Sequence, residues 1–145
     1  MFFKIRIIRV IGKGLNVNYR GNGQMMDREI KALIVDDDKM CSYVAQSIMK
    51  KFGAVDVANS GLEAISKFER AFDSNPFSII ILDIMMPEMD GQQVLKRIRE
   101  IEYSHGVVKS NRVKIIMLSA IEDKRTILSS FQGGCDAYLT KPLVA

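Results

Sequence analysis

The chain has 145 residues, 48% of them hydrophobic and 26% charged, enough for one domain with its own core. Two cysteines exclude a disulfide-stapled scaffold, and no apolar run approaches the roughly 18 residues of a membrane span. The net charge of +4 is uneven: residues 1–25 hold five basic residues and no acid, and the rest holds 16 basic against 17 acidic, which argues against nucleic-acid contact by the body.

Residues 1–25 read as a basic N-terminal extension. An apolar stretch interspersed with Lys4, Arg6 and Arg9 leads to Gly12-Lys13-Gly14, and Leu15, Val17 and Tyr19 then alternate with polar residues. Alternation around a glycine turn predicts a β-hairpin. A basic helix on a membrane surface is the weaker reading, because Gly12 and Gly14 cut it short. Met25-Met26 stands just before the first regular strand, so a start there, with the arm wrongly assigned to the chain, is the competing expectation.

From residue 31 the pattern becomes regular. Residues 32–35 predict a buried strand ending on Asp36-Asp37-Asp38, and Met40, Val44, Ile48 and Phe52 lie at helical spacing over 39–52. Residues 54–58 predict a second strand. Ser60 and Glu63 form the pattern of a capping box opening a helix to about residue 72. Ile79-Ile80-Ile81-Leu82 is an apolar run that ends on Asp83, with Pro87 and Asp90-Gly91 as turn signals. A helix over 91–102 would turn Val94, Leu95, Ile98 and Ile101 inward, and a long polar loop over 103–112 carries the single histidine, His105. A strand over 113–118 ends on Ser119-Ala120, and a helix over 122–132 stops at Gly133-Gly134. A fifth strand over 137–140 runs into Lys141-Pro142. Strands alternating with helices require a parallel sheet with right-handed crossovers.

The chemistry gathers at the carboxyl ends of these strands, where open α/β sheets bind their ligands. Asp36, Asp37, Asp83, Ser119 and Lys141 all fall there. Neighbouring carboxylates repel by roughly 4 kcal/mol per pair at 4 Å and an effective dielectric of 20. Raised pKa values or a divalent cation relieve that repulsion. Oxygen-only donors suit Mg²⁺, which keeps several of its waters. A lysine and a short hydroxyl beside them could hold a phosphoryl group through its oxygens.

Val35-Asp36-Asp37, Leu82-Asp83 with Met86-Pro87 and Asp90-Gly91, Leu118-Ser119-Ala120, and Tyr138-Leu139-Thr140-Lys141-Pro142 together resemble the receiver domain of two-component response regulators, over residues 30–145. The resemblance implies a flavodoxin-like, doubly wound, five-stranded parallel sheet of order 2-1-3-4-5. It implies Asp83 as phosphoacceptor, with Mg²⁺ held by Asp36, Asp37, Asp83 and the Met85 backbone carbonyl. Ser119, Ala120 and Lys141 would meet the phosphoryl group, with Ser119 and Tyr138 as the switch pair. Met85 and Ile121 stand where receivers flank the route of the hydrolytic water, and both are apolar, which implies slow loss of the phosphoryl group. The implied partner is a sensor histidine kinase or phosphotransfer protein, with homodimerisation open, in the cytoplasm, and with no turnover beyond self-phosphorylation and autodephosphorylation. Two rival readings are a receiver-like scaffold that is never phosphorylated and an aspartate-nucleophile phosphohydrolase. The hydrolase resemblance would place a second aspartate at position 85, where this chain has Met85.

Two departures accompany the resemblance. The 103–112 loop is longer than is usual in the family. The sequence also stops four residues after Lys141, so the family's fifth helix is expected to be missing, leaving a domain truncated at its C-terminus. The sheet face that helix would cover must then be closed by a further C-terminal segment, the first expectation, or by the arm or a second chain.

Overall fold

The computed structural model describes Arg9, Val10 and residues 30–143. Nine regular elements alternate in the body: β1 (Ile30–Val35), α1 (Lys39–Met49), β2 (Gly53–Ala58), α2 (Gly61–Ala71), β3 (Ile79–Asp83), α3 (Gly91–Ser104), β4 (Lys114–Ser119), α4 (Lys124–Gln132) and β5 (Ala137–Thr140). All strands pair in parallel in the order β2-β1-β3-β4-β5, the flavodoxin-like order expected. No fifth helix follows β5 among the described residues, whose last three are Lys141, Pro142 and Leu143.

The central strands are aliphatic throughout because both faces of the sheet are covered. Leu33, Val35, Ile80, Leu82, Ile115 and Met117 point to one side, where Ala64 and Phe68 of α2 and Val94, Leu95, Ile98 and Ile101 of α3 meet them. The alternate residues Ala32, Ile34, Ile79, Ile81, Ile116, Leu118 and Leu139 point to the other side, toward Ala45, Ile48 and Met49 of α1. Each such aliphatic side chain contributes about 1.5–3 kcal/mol by leaving water. The strand phase is fixed by this two-sided packing, since a one-residue slip would exchange the faces.

Several local expectations change in three dimensions. Met40 keeps helical spacing but is 73% exposed, and α1 is held instead through Ser42, Ala45, Ile48 and Met49. The Ser60 hydroxyl does accept the Glu63 N–H at 3.1 Å, yet the Glu63 carboxylate accepts from Asn59 at 2.9 Å rather than from Ser60. The box therefore closes one residue early. The reciprocal capping box is at α3, where Asp90 and Gln93 exchange bonds of 2.9 and 3.0 Å. The expected loop at 103–112 is partly ordered: α3 runs on to Ser104, and Lys109–Asn111 forms a 3₁₀ turn. His105 ends α3, its Nδ1 donating to the Ile101 carbonyl at 2.8 Å and its ring resting 4.5 Å from that of Phe72. Asp83 is the last residue of β3 rather than the first beyond it. Arg9 and Val10 have helical backbone, not the extended backbone of a hairpin, and the rest of the expected hairpin lies outside the described residues.

Candidate functional site

Parallel pairing brings the strand ends to one edge. Val35 pairs with Leu82, Asp83 with Leu118, and Ser119 with Thr140, so Asp36, Asp83, Ser119 and Lys141 follow one another along it. Lys141 reaches back across β4. Its ammonium lies 3.1 Å from Asp36 Oδ2 and 3.3 Å from Asp83 Oδ1. Both carboxylates are buried, at 2% and 3% exposure, and a lysine shared between them is the minimum that burial of charge requires. The other oxygen of Asp36 accepts the Asp38 N–H at 2.9 Å, which fixes the carboxylate's plane.

One lysine does not neutralise this edge. Oxygen atoms of Asp36, Asp37 and Asp83 all lie within 4.8 Å of one another, with Asp37 exposed at the mouth. Burial first, and the Asp36 charge second, push Asp83 up to about 6, against the opposing pull of Lys141. Burial also works to lower Lys141, but the two carboxylates outweigh it and hold the lysine above its ordinary value. Three oxygen donors in a site that is short of positive charge have the chemistry of a small hard cation site, so the residues present fit Mg²⁺.

Asp38, next in the acidic run, falls outside this cluster. It caps α1, accepting from the Met40 and Cys41 amides at 2.8 and 3.1 Å, and those bonds lower its pKa. Met85 is 61% exposed and Ala120 is exposed too, so the ground above the carboxylates is open.

Ser119 is fully buried, and its hydroxyl oxygen accepts the Ile121 N–H at 3.1 Å. The Ile121 carbonyl in turn accepts the Tyr138 hydroxyl at 2.7 Å. One residue thus ties the serine to the tyrosine. α4 takes Asp123 as its cap, leaving Ser119 free of that task.

Two residues of this region have contacts that the sequence does not disclose. Gly91 packs onto the Asp83 carbonyl so closely that a Cβ would overlap the backbone, so the loop after β3 can return to the strand end only with glycine here. Gln92, next in line, sends its side-chain amide to the Ser129 hydroxyl at 2.7 Å and to Ser130 at 3.2 Å on α4. The Asp-Gly pair signals the turn; nothing in the sequence signals the partner of Gln92.

Residues 32–145 match the family model of the response regulator receiver domain. Among curated proteins, the chain is similar to "Probable histidine kinase 1" of Oryza sativa subsp. indica, 31% identical over 78% of this chain and 14% of that protein. It is also similar to "Regulatory protein VanRB" of Enterococcus faecalis, 32% identical over 76% of this chain and 44% of that protein. The chain thus spans less than half of either relative. Among solved structures, it resembles the receiver domain of the histidine kinase CKI1 from Arabidopsis thaliana complexed with Mg²⁺ and BeF₃⁻, with 32% identity, coverage of 77% and 80%, and a TM-score of 0.63. It also resembles a chain of the CheX-CheY-BeF₃-Mg²⁺ complex from Borrelia burgdorferi, with 26% identity, coverage of 91% and 87%, and a TM-score of 0.67. On the match over 32–145, this chain belongs to the response regulator receiver domain family.

Proposed function

We propose that the chain accepts a phosphoryl group on Asp83 from a phosphohistidine of a sensor kinase or phosphotransfer protein, in the cytoplasm and in the presence of Mg²⁺. The observation that carries this reading is Asp83 itself: buried, short of countercharge, and 3.3 Å from Lys141 at an open strand edge.

Asp83 in its ionised form supplies the nucleophilic oxygen. A carboxylate oxygen bonds to phosphorus as the P–N bond to the donor imidazole breaks, and the electron pair leaves with the imidazole. Asp36, Asp37 and Asp83, with the Met85 carbonyl, would hold Mg²⁺, which when bound offsets the negative charge of phosphoryl oxygens and carboxylates. Lys141 already lies between the two buried carboxylates and can turn an N–H to a phosphoryl oxygen. Ala120 leaves that ground free of bulk.

Ser119 is the link to the rest of the fold. Its O–H would donate to a phosphoryl oxygen, and a turn toward Asp83 would draw its oxygen away from the Ile121 N–H. The Ile121 carbonyl holds Tyr138, so the tyrosine would lose its present anchor, and the β4–α4 segment would have two discrete arrangements. That is a population shift driven by contacts made only in the phosphorylated state. Homodimerisation through the altered surface is one route to output. Apolar Met85 and Ile121 offer no group to orient water, which supports a slow return.

Incubation with acetyl phosphate, followed by intact-mass measurement, tests the assignment. A single phosphoryl addition that needs Mg²⁺ and vanishes in Asp83→Asn is the expected result. Labelling that survives Asp83→Asn, or that is unchanged in EDTA, would falsify it. Absence of labelling by acetyl phosphate and by a phosphohistidine donor alike would favour a scaffold role.

A further inference from the structure

A groove of about 500 Å³ lies between α3 and α4. Its α3 wall is a single stripe, Gln92, Lys96, Arg99 and Tyr103, spaced i, i+4, i+7 and i+11. Ser129 and Gly133 form the α4 wall. From Gln92 to Tyr103 the helix rises about 16 Å, the reach of about five residues of extended chain. Tyr103 is 80% exposed, and Lys96 and Ser129 are exposed too, so the groove is open along its length.

The charges lining this groove do not balance. Arg99 is spent on Glu102 and Asp136. Glu100 also lines the groove and lies 3.7 Å from Arg97. Lys96 and Arg112 are left, and among the described residues neither side chain has an ion pair or a hydrogen bond. The Arg112 Nε is buried as well, an N–H held out of water with no acceptor. Folded proteins rarely keep such a donor, so this position calls for an acceptor. A guanidinium grips a carboxylate through two parallel N–H bonds, and Nε supplies one arm of such a fork. Nucleic acid is the poorer match, because the body carries 16 basic against 17 acidic residues. The length of the groove suits an extended chain better than a compact anion.

We propose that the groove between α3 and α4 binds an acidic peptide segment of a partner protein, its carboxylates meeting Lys96 and Arg112 and an apolar side chain covering Tyr103. An exposed tyrosine offers contact area at little entropic cost, which suits it to anchor such a segment. The bound peptide would also steady α4, which buries only Ser130. The inference goes beyond the phosphorylation of Asp83 and does not rest on it.

Random seven-residue peptides displayed on phage and selected on the full chain supply the probe. The selected sequences should carry two or more acidic residues beside an aromatic or aliphatic one. A synthetic peptide of that sequence, followed by fluorescence anisotropy, should bind about tenfold more weakly to Arg112→Met and to Lys96→Glu. Binding to Lys51→Glu should be unchanged, since that exposed lysine lies just beyond α1, which packs on the opposite face of the sheet. Arg112→Met should unfold in urea no more easily than the parent, because it removes an unpaired buried donor. Labelling of Asp83 by acetyl phosphate should be the same in both groove variants, which separates this test from that of the phosphoacceptor. Selection of no peptide, of peptides without acids, or of peptides indifferent to Lys96 and Arg112 would overturn the proposal. Binding lost in Arg112→Met only together with stability would make the arginine structural and overturn it too. So would displacement of the peptide by a single-stranded oligonucleotide, which would assign these cations to nucleic acid.

Discussion

At the amino edge of the sheet, Arg99 gathers Glu102, the Val113 carbonyl, the Gly134 carbonyl and Asp136 around one guanidinium. Glu102, 2% exposed, spends its second oxygen on the Val113 N–H at 2.8 Å, and Asp136 accepts the Ile115 N–H at 2.8 Å. Lys114 stands 3.8 Å from Asp136, so two cations meet two anions. At the carboxyl edge, Lys141 is the one cation among the described residues that pairs with Asp36 and Asp83, Asp37 adds a third carboxylate, and Asp83 is pushed up to about 6 by burial and by Asp36. Buried charge of similar depth is balanced at one edge and left short at the other. The balanced edge fastens α3, β4 and the α4–β5 turn together. The unbalanced edge has an unmet demand for positive charge that a cation or a phosphoryl-bound state can answer.

Breaking the balanced edge should have the largest effect. Arg99→Met leaves Glu102 buried without its partner and frees two carbonyls, at a cost of about 3–5 kcal/mol. Arg99→Lys should recover little, because a point charge cannot serve the Glu102, Val113 and Gly134 positions at once. Urea unfolding of the two variants checks this; a loss under about 1 kcal/mol for Arg99→Met would mean the network is dispensable.

At the other edge the sign should reverse. Asp83 titrates near 6 in the fold against 3.8 in the unfolded chain. The folded state therefore holds the extra proton between those values, and stability falls as pH rises through that window. In metal-free buffer, Asp83→Asn should raise the unfolding free energy at pH 8 by roughly 1–3 kcal/mol. Below the unfolded value of 3.8 the gain should vanish. A variant less stable than the parent at pH 8 would show that Lys141 stabilises this edge more than burial destabilises it.

The same titration should govern the cation. Mg²⁺ needs the ionised carboxylate, so its affinity should be steady above the Asp83 value of about 6 and fall below it. Calorimetry at pH 7 and pH 5 should show about a tenfold weakening, with one proton displaced for each Mg²⁺ bound at the lower pH. Asp37→Asn should weaken binding at both pH values and leave the midpoint near 6 in place, since Asp37 is exposed and does not set it.

The two edges also differ in how far the sequence discloses them. Asp36, Asp83, Ser119 and Lys141 each end an apolar run, so strand pattern and parallel topology alone bring them together. Arg99 and Glu102 look like an ordinary i, i+3 pair on a solvated helix face. Their depth depends on carbonyls and amides at Val113, Gly134 and Ile115, whose approach is set by tertiary packing and has no local pattern. Met40 misleads in the other direction. Its helical spacing is right, but the face that α1 buries carries Ala45, Ile48 and Met49, and Met40 lies off that face in water.

A smaller effect should separate α4 from α3. α3 buries Val94, Leu95, Ile98 and Ile101, whereas α4 buries only Ser130 and leaves Leu128 and Phe131 59% and 47% exposed. With so little apolar anchorage, α4 depends on polar contacts, and Gln92 supplies them by reaching Ser129 and Ser130 from the first turn of α3. Gly91, the residue before it, is pressed on the backbone of Asp83, so the tether starts beside the proposed phosphoacceptor. Gln92→Ala should cost only about 0.5–1.5 kcal/mol overall, the worth of one or two ordinary hydrogen bonds. Its effect should be local all the same. Amide hydrogen exchange over Lys124–Gln132 should quicken several-fold while that of Gly91–Ser104 changes little, because α3 keeps its buried stripe. Uniform quickening of both helices would mean that α4 opens only when the whole domain unfolds, and that the tether holds nothing on its own.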